Sequence, residues 1–133
     1  MKSFREQLDE SLEEKVTNKD LDDIEKFADK LFAKLDVDVN FTKHFGDRVN
    51  DPRNKTDITK SELIALFKKT YRQHGKAIAS MDDHAEAVIK DIQKDINLPF
   101  VLNYNKKTKE LDLVAKTIMR KKDFKTHSPE LKV

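Results

Sequence analysis

The chain has 133 residues, of which 37% are hydrophobic and 39% are charged, which is enough for one domain with a single hydrophobic core. Its net charge is +2, and it contains no cysteine and only two glycines, Gly46 and Gly75. These counts exclude disulfides, thiolate metal sites and the glycine-rich phosphate loops of nucleotide-binding proteins. No apolar run is long enough to cross a bilayer, so we expect no membrane partner.

Residues 1–18 are predicted to be separable from the folded domain, as a leader or as a disordered or helical extension. The pattern Met1, Lys2, Ser3, Phe4, Glu6 and then Leu8-Asp9-Glu10 resembles the capsid-targeting leader of proteins packaged in the heads of contractile-tailed phages. That resemblance implies cleavage after Glu10, and Gln7 departs from the pattern where an apolar residue is expected. An ordinary amphipathic N-terminal helix is the alternative.

The first helix of the domain is predicted over residues 21–35. Apolar residues recur there at three- and four-residue steps, and Thr17 or Asn18 can cap the start. The apolar stripe indicates a helix that packs on the core. Residues 37–40 break this pattern with alternating Val and polar residues.

Two further helices are predicted before the middle of the chain. Helical spacing resumes over residues 41–49 and is followed by a polar, proline-containing loop. Thr59 and Glu62 have the spacing of a capping box, which predicts a helix over residues 60–74. Gly75 is the expected left-handed stop for that helix.

Beyond Gly75 the pattern changes to short runs of β-branched and aromatic residues. Residues 86–92, 99–104 and 111–119 predict three antiparallel strands, the last two joined by a hairpin loop. Residues 76–80 are a candidate fourth strand.

The fold class predicted by this order is α+β, with N-terminal helices followed by a three- to four-stranded antiparallel meander sheet. A single domain is predicted over residues 19–126. Residues 127–133 are expected to be a polar C-terminal tail that is extended along the surface or loose.

A candidate phosphate site includes His44 and Arg48, which are four residues apart and therefore share one face of a helix. The planar guanidinium of Arg48 or Arg53 can hold two phosphate oxygens, and an imidazole exchanges a proton near neutral pH. The alternative is structural, with His44 packed or capping and Arg48 paired to a nearby carboxylate. The carboxylates in question are Asp47, Asp51 and Glu62.

The last predicted strand and the residues after it are rich in positive charge. Alternation along the strand places Thr117 on one face and Lys116 and Arg120 on the other, and the sequence does not decide which face the helices cover. Lys121 continues the positive charge, and Phe124 among the lysines is a candidate for stacking on a base. The alternative for Phe124 is a cover over the core beside solvated lysines.

The distribution of charge favours an anionic partner for the C-terminal part of the chain. Residues 100–133 hold nine Lys or Arg against four Asp or Glu, whereas residues 1–36 hold seven against eleven. His74, His84 and His127 show no metal-ligand spacing, so we predict no metal and no cofactor.

From Phe41 to Thr126 the chain resembles the small ribonuclease-type domains of the barnase–EndoU–colicin–RelE group. The residues that carry this resemblance are His44-Phe45-x-x-Arg48-Val49, Arg53, Ile58 to Leu63, Glu86 to Ile89, and Val114 to Thr117. The resemblance implies metal-independent cleavage of RNA. The implied catalytic residues are His44, Arg48 and Thr117, and the implied phosphate-binding residues are Arg53, Lys116, Arg120 and Lys121.

Residues 95–102 and 111–121 also resemble an uncharacterised protein of marine myoviruses, which implies no activity. Two functions from different classes therefore remain open. One is a phage RNase-like domain that binds RNA and cleaves it. The other is a non-catalytic internal head protein that binds nucleic acid or phage head and core proteins. Either is expected in the host cytoplasm or the virion interior, and a small interaction module is a third alternative.

Overall fold

The structure is a computed structural model that describes residues 16–133. The helices are α1 (Asn18–Phe32), α2 (Lys43–Val49) and α3 (Lys60–Ala79), with short 3-10 helices at Ala33–Leu35 and Pro52–Asn54. The strands are β1 (Val37–Phe41), β2 (Glu86–Asp91), β3 (Ile96–Asn105), β4 (Glu110–Ala115), β5 (Met119–Arg120) and β6 (Glu130–Lys132). This composition confirms the α+β class.

The strands form one mixed sheet in the order β1-β4-β3-β2-β6, with β5 also paired to β3. The neighbours β2, β3 and β4 are antiparallel, which confirms the central meander. In contrast, β1 is parallel to β4, and β6 is parallel to β2. The sheet is therefore larger than the predicted three to four strands, because segments from outside the meander add to both edges.

The segment 37–40, which the sequence marked only as a break in a helix, belongs to β1. Val37 and Val39 are 0% and 2% exposed and face the core, while the alternate side chains lie on the other face. A strand this short carries a weak local signal, since its pairing partner β4 lies far away in sequence.

The first helix protects the outer edge of β1. The backbone N–H of Val39 donates to Asp29 Oδ1 at 3.0 Å, and that of Phe41 donates to Glu25 Oε2 at 2.7 Å. These two carboxylates, both on α1, occupy edge donors that another chain would otherwise pair with.

The long helix α3 begins as predicted and ends later than predicted. Its capping box is reciprocal, with Thr59 N–H donating to Glu62 Oε1 at 3.0 Å and Glu62 N–H donating to Thr59 Oγ1 at 3.1 Å. The predicted stop at Gly75 is wrong, since Gly75 is buried inside a helix that continues to Ala79. A Cβ at this position would lie 3.0 Å from Leu35 Cδ1, so the glycine permits close packing. The candidate fourth strand after Gly75 is wrong for the same reason.

The predicted strand 111–119 is interrupted. β4 and β5 both pair with β3, and the chain leaves the sheet between them. Ile118, in the interruption, is 1% exposed, so strict alternation of faces does not continue past Ala115. The interruption turns residues 117–119 toward a cleft beside α2.

The folded unit extends past both predicted boundaries of the 19–126 domain. At its start, Val16 is 3% exposed and Thr17 caps α1. At its end, residues 127–133 are not a separate tail, because they contain β6, and Leu131 is 9% exposed. Most of the predicted leader lies outside the described residues.

Aromatic side chains anchor α2 to the core, as the spacing predicted. The ring of Phe45 stacks on Phe41 with centroids 4.4 Å apart, and Phe41 packs on Phe67 of α3 at 5.8 Å. Phe45 and Phe67 are fully buried. This packing leaves the opposite side of α2 at the surface. Within residues 16–133, no helix is long and apolar enough to cross a membrane.

A cationic cleft beside helix α2

Six of the seven predicted site residues line one cleft between α2, the Pro52–Asn54 turn and the segment 117–122. The cleft has a volume of about 860 Å³. Its lining includes six Lys or Arg side chains and two Asp side chains, a net charge of +4 with His44 neutral. We call this the cationic cleft; the predicted residues in it are His44, Arg48, Arg53, Thr117, Arg120 and Lys121.

Thr42 fixes the start of α2 at the cleft wall. Its Oγ1 accepts a hydrogen bond from Phe45 N–H at 3.0 Å, and the same hydroxyl donates to the carbonyl of Lys116 at 2.9 Å. The cap that starts the helix therefore also ties it to the interruption between β4 and β5. This contact sets the position of His44 relative to Thr117, which lies on the facing wall.

His44 and Arg48 are in direct contact, as their four-residue spacing predicted. Arg48 Nε–H donates to His44 Nε2 at 3.3 Å. This contact requires the lone pair of Nε2, so the ring proton of a neutral imidazole is on Nδ1. A proton-accepting nitrogen and a guanidinium thus lie side by side at the cleft.

Asp51 joins the two arginines of the cleft. Arg48 Nη1 lies 2.9 Å from Asp51 Oδ2, and Arg53 contacts both oxygens of Asp51, with Nη2 at 3.0 Å and Nε at 3.2 Å. The structural alternative for Arg48 is therefore confirmed, because Arg48 is ion-paired. Each guanidinium has five donors, so this pairing leaves donors available for an anion.

Asn54 connects the end of α2 to β5 from beneath the cleft. This side chain is 5% exposed, and its Nδ2 donates to the carbonyls of Arg48 at 3.0 Å and Val49 at 3.1 Å. Its Oδ1 accepts from the backbone N–H of Arg120 at 2.9 Å. Sequence reasoning missed Asn54, because an asparagine in a polar loop carries no signal that distinguishes a buried bridge from a turn residue.

Arg120 lines the cleft, but its guanidinium is engaged by the protein. It donates to three carbonyls, those of Thr56 at 3.0 Å, Asp57 at 2.8 Å and Lys94 at 2.7 Å. It also donates to Glu62 Oε1 at 2.6 Å, and only 14% of its side chain is exposed. We therefore assign Arg120 to holding the cleft together and not to binding phosphate.

The carboxyl group of Glu62 is tuned by this network. Burial, the largest influence, raises its pKa, but the hydrogen bonds from Arg120 and Thr59 together lower it further, so the pKa lies below its ordinary value of 4.5. Glu62 is thus ionised at neutral pH and forms a mostly buried ion pair with Arg120.

Two predicted residues do not contribute to the cleft. Lys116 Nζ lies 3.0 Å from Glu86 Oε1 outside the cleft, in an exposed ion pair. The ring of Phe124 is half-buried beside Lys90, whose Nζ lies 5.9 Å from the ring centroid and donates to the Phe124 carbonyl at 2.8 Å. Lys116 is therefore not brought together with His44, and Phe124 covers the sheet near β2 instead of lining the cleft.

No protein-family model, curated protein or solved structure matches this chain. The resemblances to phage leaders, to ribonuclease-type domains and to a myovirus protein stay predictions. Within residues 16–133, no three His, Asp or Glu side chains are grouped so that they could hold a metal ion.

Proposed function

We propose that the protein is an RNase-like domain that binds RNA through phosphate groups in the cationic cleft. The observation that carries this proposal is the local charge. The cleft lining has a net charge of +4, although the whole chain has only +2. A concave surface lined by one sign of charge concentrates the field and attracts polyanions.

Phosphates would bind first to the cations at the rim of the cleft. Arg53 is 71% exposed, and Lys121 and Lys122 are exposed next to it in the lining. Contacts of this kind neutralise phosphates and release condensed counterions, so the binding should weaken as salt is added. The donors of Arg48 that Asp51 and His44 do not use lie deeper in the same cleft.

His44 is the group in the cleft that can move a proton near neutral pH. In metal-independent cleavage, the ribose 2′-oxygen attacks phosphorus while its proton passes to the lone pair of His44 Nε2. The bond from phosphorus to the 5′-oxygen then breaks, and that oxygen takes a proton from a general acid or from water. The guanidinium of Arg48, 3.3 Å from His44, would stabilise the charge on the phosphorane-like transition state.

Non-catalytic binding is the second candidate, as expected of an internal head or nucleic-acid-associated phage protein in the virion interior or the host cytoplasm. The observation that favours it is the pairing inside the cleft. Asp51 engages both Arg48 and Arg53, and Arg48 occupies Nε2 of His44. A site arranged in this way can hold phosphate at its rim without a free general base.

RNA binding is tested by titrating a short labelled oligouridylate at several salt concentrations. The double variant Arg53→Gln/Lys122→Gln should bind more weakly, and the slope of log K against log salt should fall by about 1.4, or about 0.7 per lost phosphate contact on a single strand. The matched control Lys106→Gln/Lys107→Gln removes two exposed charges from the β3–β4 hairpin, away from the cleft. Equal losses in the two variants would overturn the proposal.

Cleavage is tested by incubating labelled RNA with the protein in EDTA and separating the products on a gel. We expect His44→Ala to abolish the cleavage that wild type shows, while His127→Ala, an exposed histidine outside the cleft, retains it. Intact RNA with wild type, together with salt-sensitive binding, would select the non-catalytic candidate.

A further inference from the structure

We infer that residues 6–14 of the same chain compete with RNA for the cationic cleft. This inference rests on the proposed function, since it names a regulator of the same site. Residues 6–14 carry five carboxylates and no Lys or Arg; these are Glu6, Asp9, Glu10, Glu13 and Glu14. Their charge is opposite in sign to the net +4 of the cleft lining.

The point where this segment joins the folded domain is fixed next to the cleft. Val16 is 3% exposed, its N–H donates to Asn50 Oδ1 at 3.1 Å, and its carbonyl accepts from Asn50 Nδ2 at 2.7 Å. Asn50 is followed directly by Asp51, which lines the cleft and contacts Arg48 and Arg53. Neighbouring Cα atoms are about 3.8 Å apart, so the tether lies beside the wall of the cleft.

The segment is long enough to reach every cation of the cleft from this tether. An extended chain spans at most about 3.6 Å per residue, so Glu13 and Glu14 lie within roughly 11 Å of Val16. The more distant carboxylates of residues 6–10 can reach about 36 Å at most, which exceeds the width of a cleft of this volume. A short flexible tether of this kind gives a local concentration in the millimolar range.

RNA must displace the segment before its phosphates can contact the cleft. The apparent dissociation constant for RNA is therefore larger than the intrinsic one by the fraction of molecules whose cleft is free. Because both contacts are electrostatic, added salt weakens the competition as well as the binding. The effect should thus be largest at low ionic strength.

The test uses the full chain with the triple substitution Glu10→Gln/Glu13→Gln/Glu14→Gln. Its matched control is Asp22→Asn/Asp36→Asn/Asp82→Asn, which changes the net charge by the same amount at exposed carboxylates outside the cleft. The titrated probe is labelled oligouridylate. At low salt, we expect the segment variant to bind at least about threefold more tightly than the control, with the two converging at high salt.

The outcomes separate the inference from the function on which it rests. If both triple variants and wild type bind RNA with equal affinity, the competition is overturned while the proposed function stands. If the segment variant and wild type both fail to bind RNA at low salt, the proposed function itself fails. A synthetic peptide of residues 1–15 added to the segment variant should restore the weaker binding, and no effect of the peptide would also overturn the inference.

Discussion

Replacement of Arg120 by alanine should destabilise the fold, although this residue has the charge and position of a phosphate ligand. Its guanidinium donates four hydrogen bonds, with lengths between 2.6 and 3.0 Å, to groups from three separate parts of the chain. One partner is the carboxylate of Glu62, at the start of α3, and the ion pair is mostly buried, with 14% of the Arg120 side chain and 16% of the Glu62 side chain exposed.

The magnitude follows from what the substitution leaves behind. Removing one member of a buried ion pair costs about 3 to 5 kcal/mol, because the remaining charge stays buried without a partner. Since both side chains keep some contact with water, we expect the free energy of unfolding to fall by about 3 kcal/mol for Arg120→Ala. Glu62→Gln keeps an acceptor for Arg120 and loses only the charge, so we expect a loss of about 1 kcal/mol.

Urea unfolding followed by circular dichroism measures these losses. The matched control is Lys121→Ala, the exposed neighbour of Arg120, which should change the free energy of unfolding by no more than about 0.5 kcal/mol. Equal urea midpoints for Arg120→Ala and Lys121→Ala would show that the guanidinium is not structural and would return it to the phosphate-binding set.

The same ion pair predicts a dependence on pH. The pKa of Glu62 is lowered in the folded state, so the stability that its ionised form contributes is present above its ordinary value of 4.5 and is lost as the pH falls through the folded pKa. The difference in unfolding free energy between wild type and Glu62→Gln should therefore shrink in acid. A difference that stays constant from neutral pH into acid would contradict this assignment.

Three further substitutions test the fold. Thr59→Ala should lower the free energy of unfolding by about 1 kcal/mol because it removes the cap of α3, whereas Thr59→Ser should not; equal urea midpoints would refute the cap. Leu131→Ala should lower it by about 2 kcal/mol, and no loss would mean that β6 does not pack on the core. Burial, and then the neighbouring Asp38, raise the pKa of Asp112, so its carboxyl favours the fold below its ordinary value of 3.8 and loses this contribution as the pH rises through the folded pKa. Asp112→Asn should therefore raise the melting temperature at neutral pH but not in acid, and a rise of the same size at both would oppose this.

The helices were predictable because their signals are local. The apolar stripe of α1 and the capping box of Thr59 and Glu62 lie within a few residues of each other in sequence. The strands β1 and β6 were missed because each is short and is stabilised mainly by pairing with a strand that is distant in sequence. The end of α3 was misplaced since Gly75 serves close packing against Leu35, a contact that no local pattern reveals.

The candidate site was predictable as a set of residue types and not as a set of roles. His44 and Arg48 share a face because of helical spacing, and the turn after α2 brings Arg53 to the same cleft. The role of Arg120 depends on acceptors that the sequence separates from it by between 26 and 64 residues, so it could not be distinguished from an exposed cation. Lys116 faces Glu86 instead of the cleft because β4 ends one residue earlier.

The most direct test of RNA binding in the cationic cleft follows the imidazole signals of the histidines by NMR while oligouridylate is added at low salt. His44 lies in the cleft, whereas His84 and His127 lie outside it. We predict a saturable shift of the His44 signals, with the other two unchanged and the His44 shift reversed by added salt. Saturable binding of the RNA that leaves the His44 signals in place, or that shifts those of His84, would contradict the location of the site.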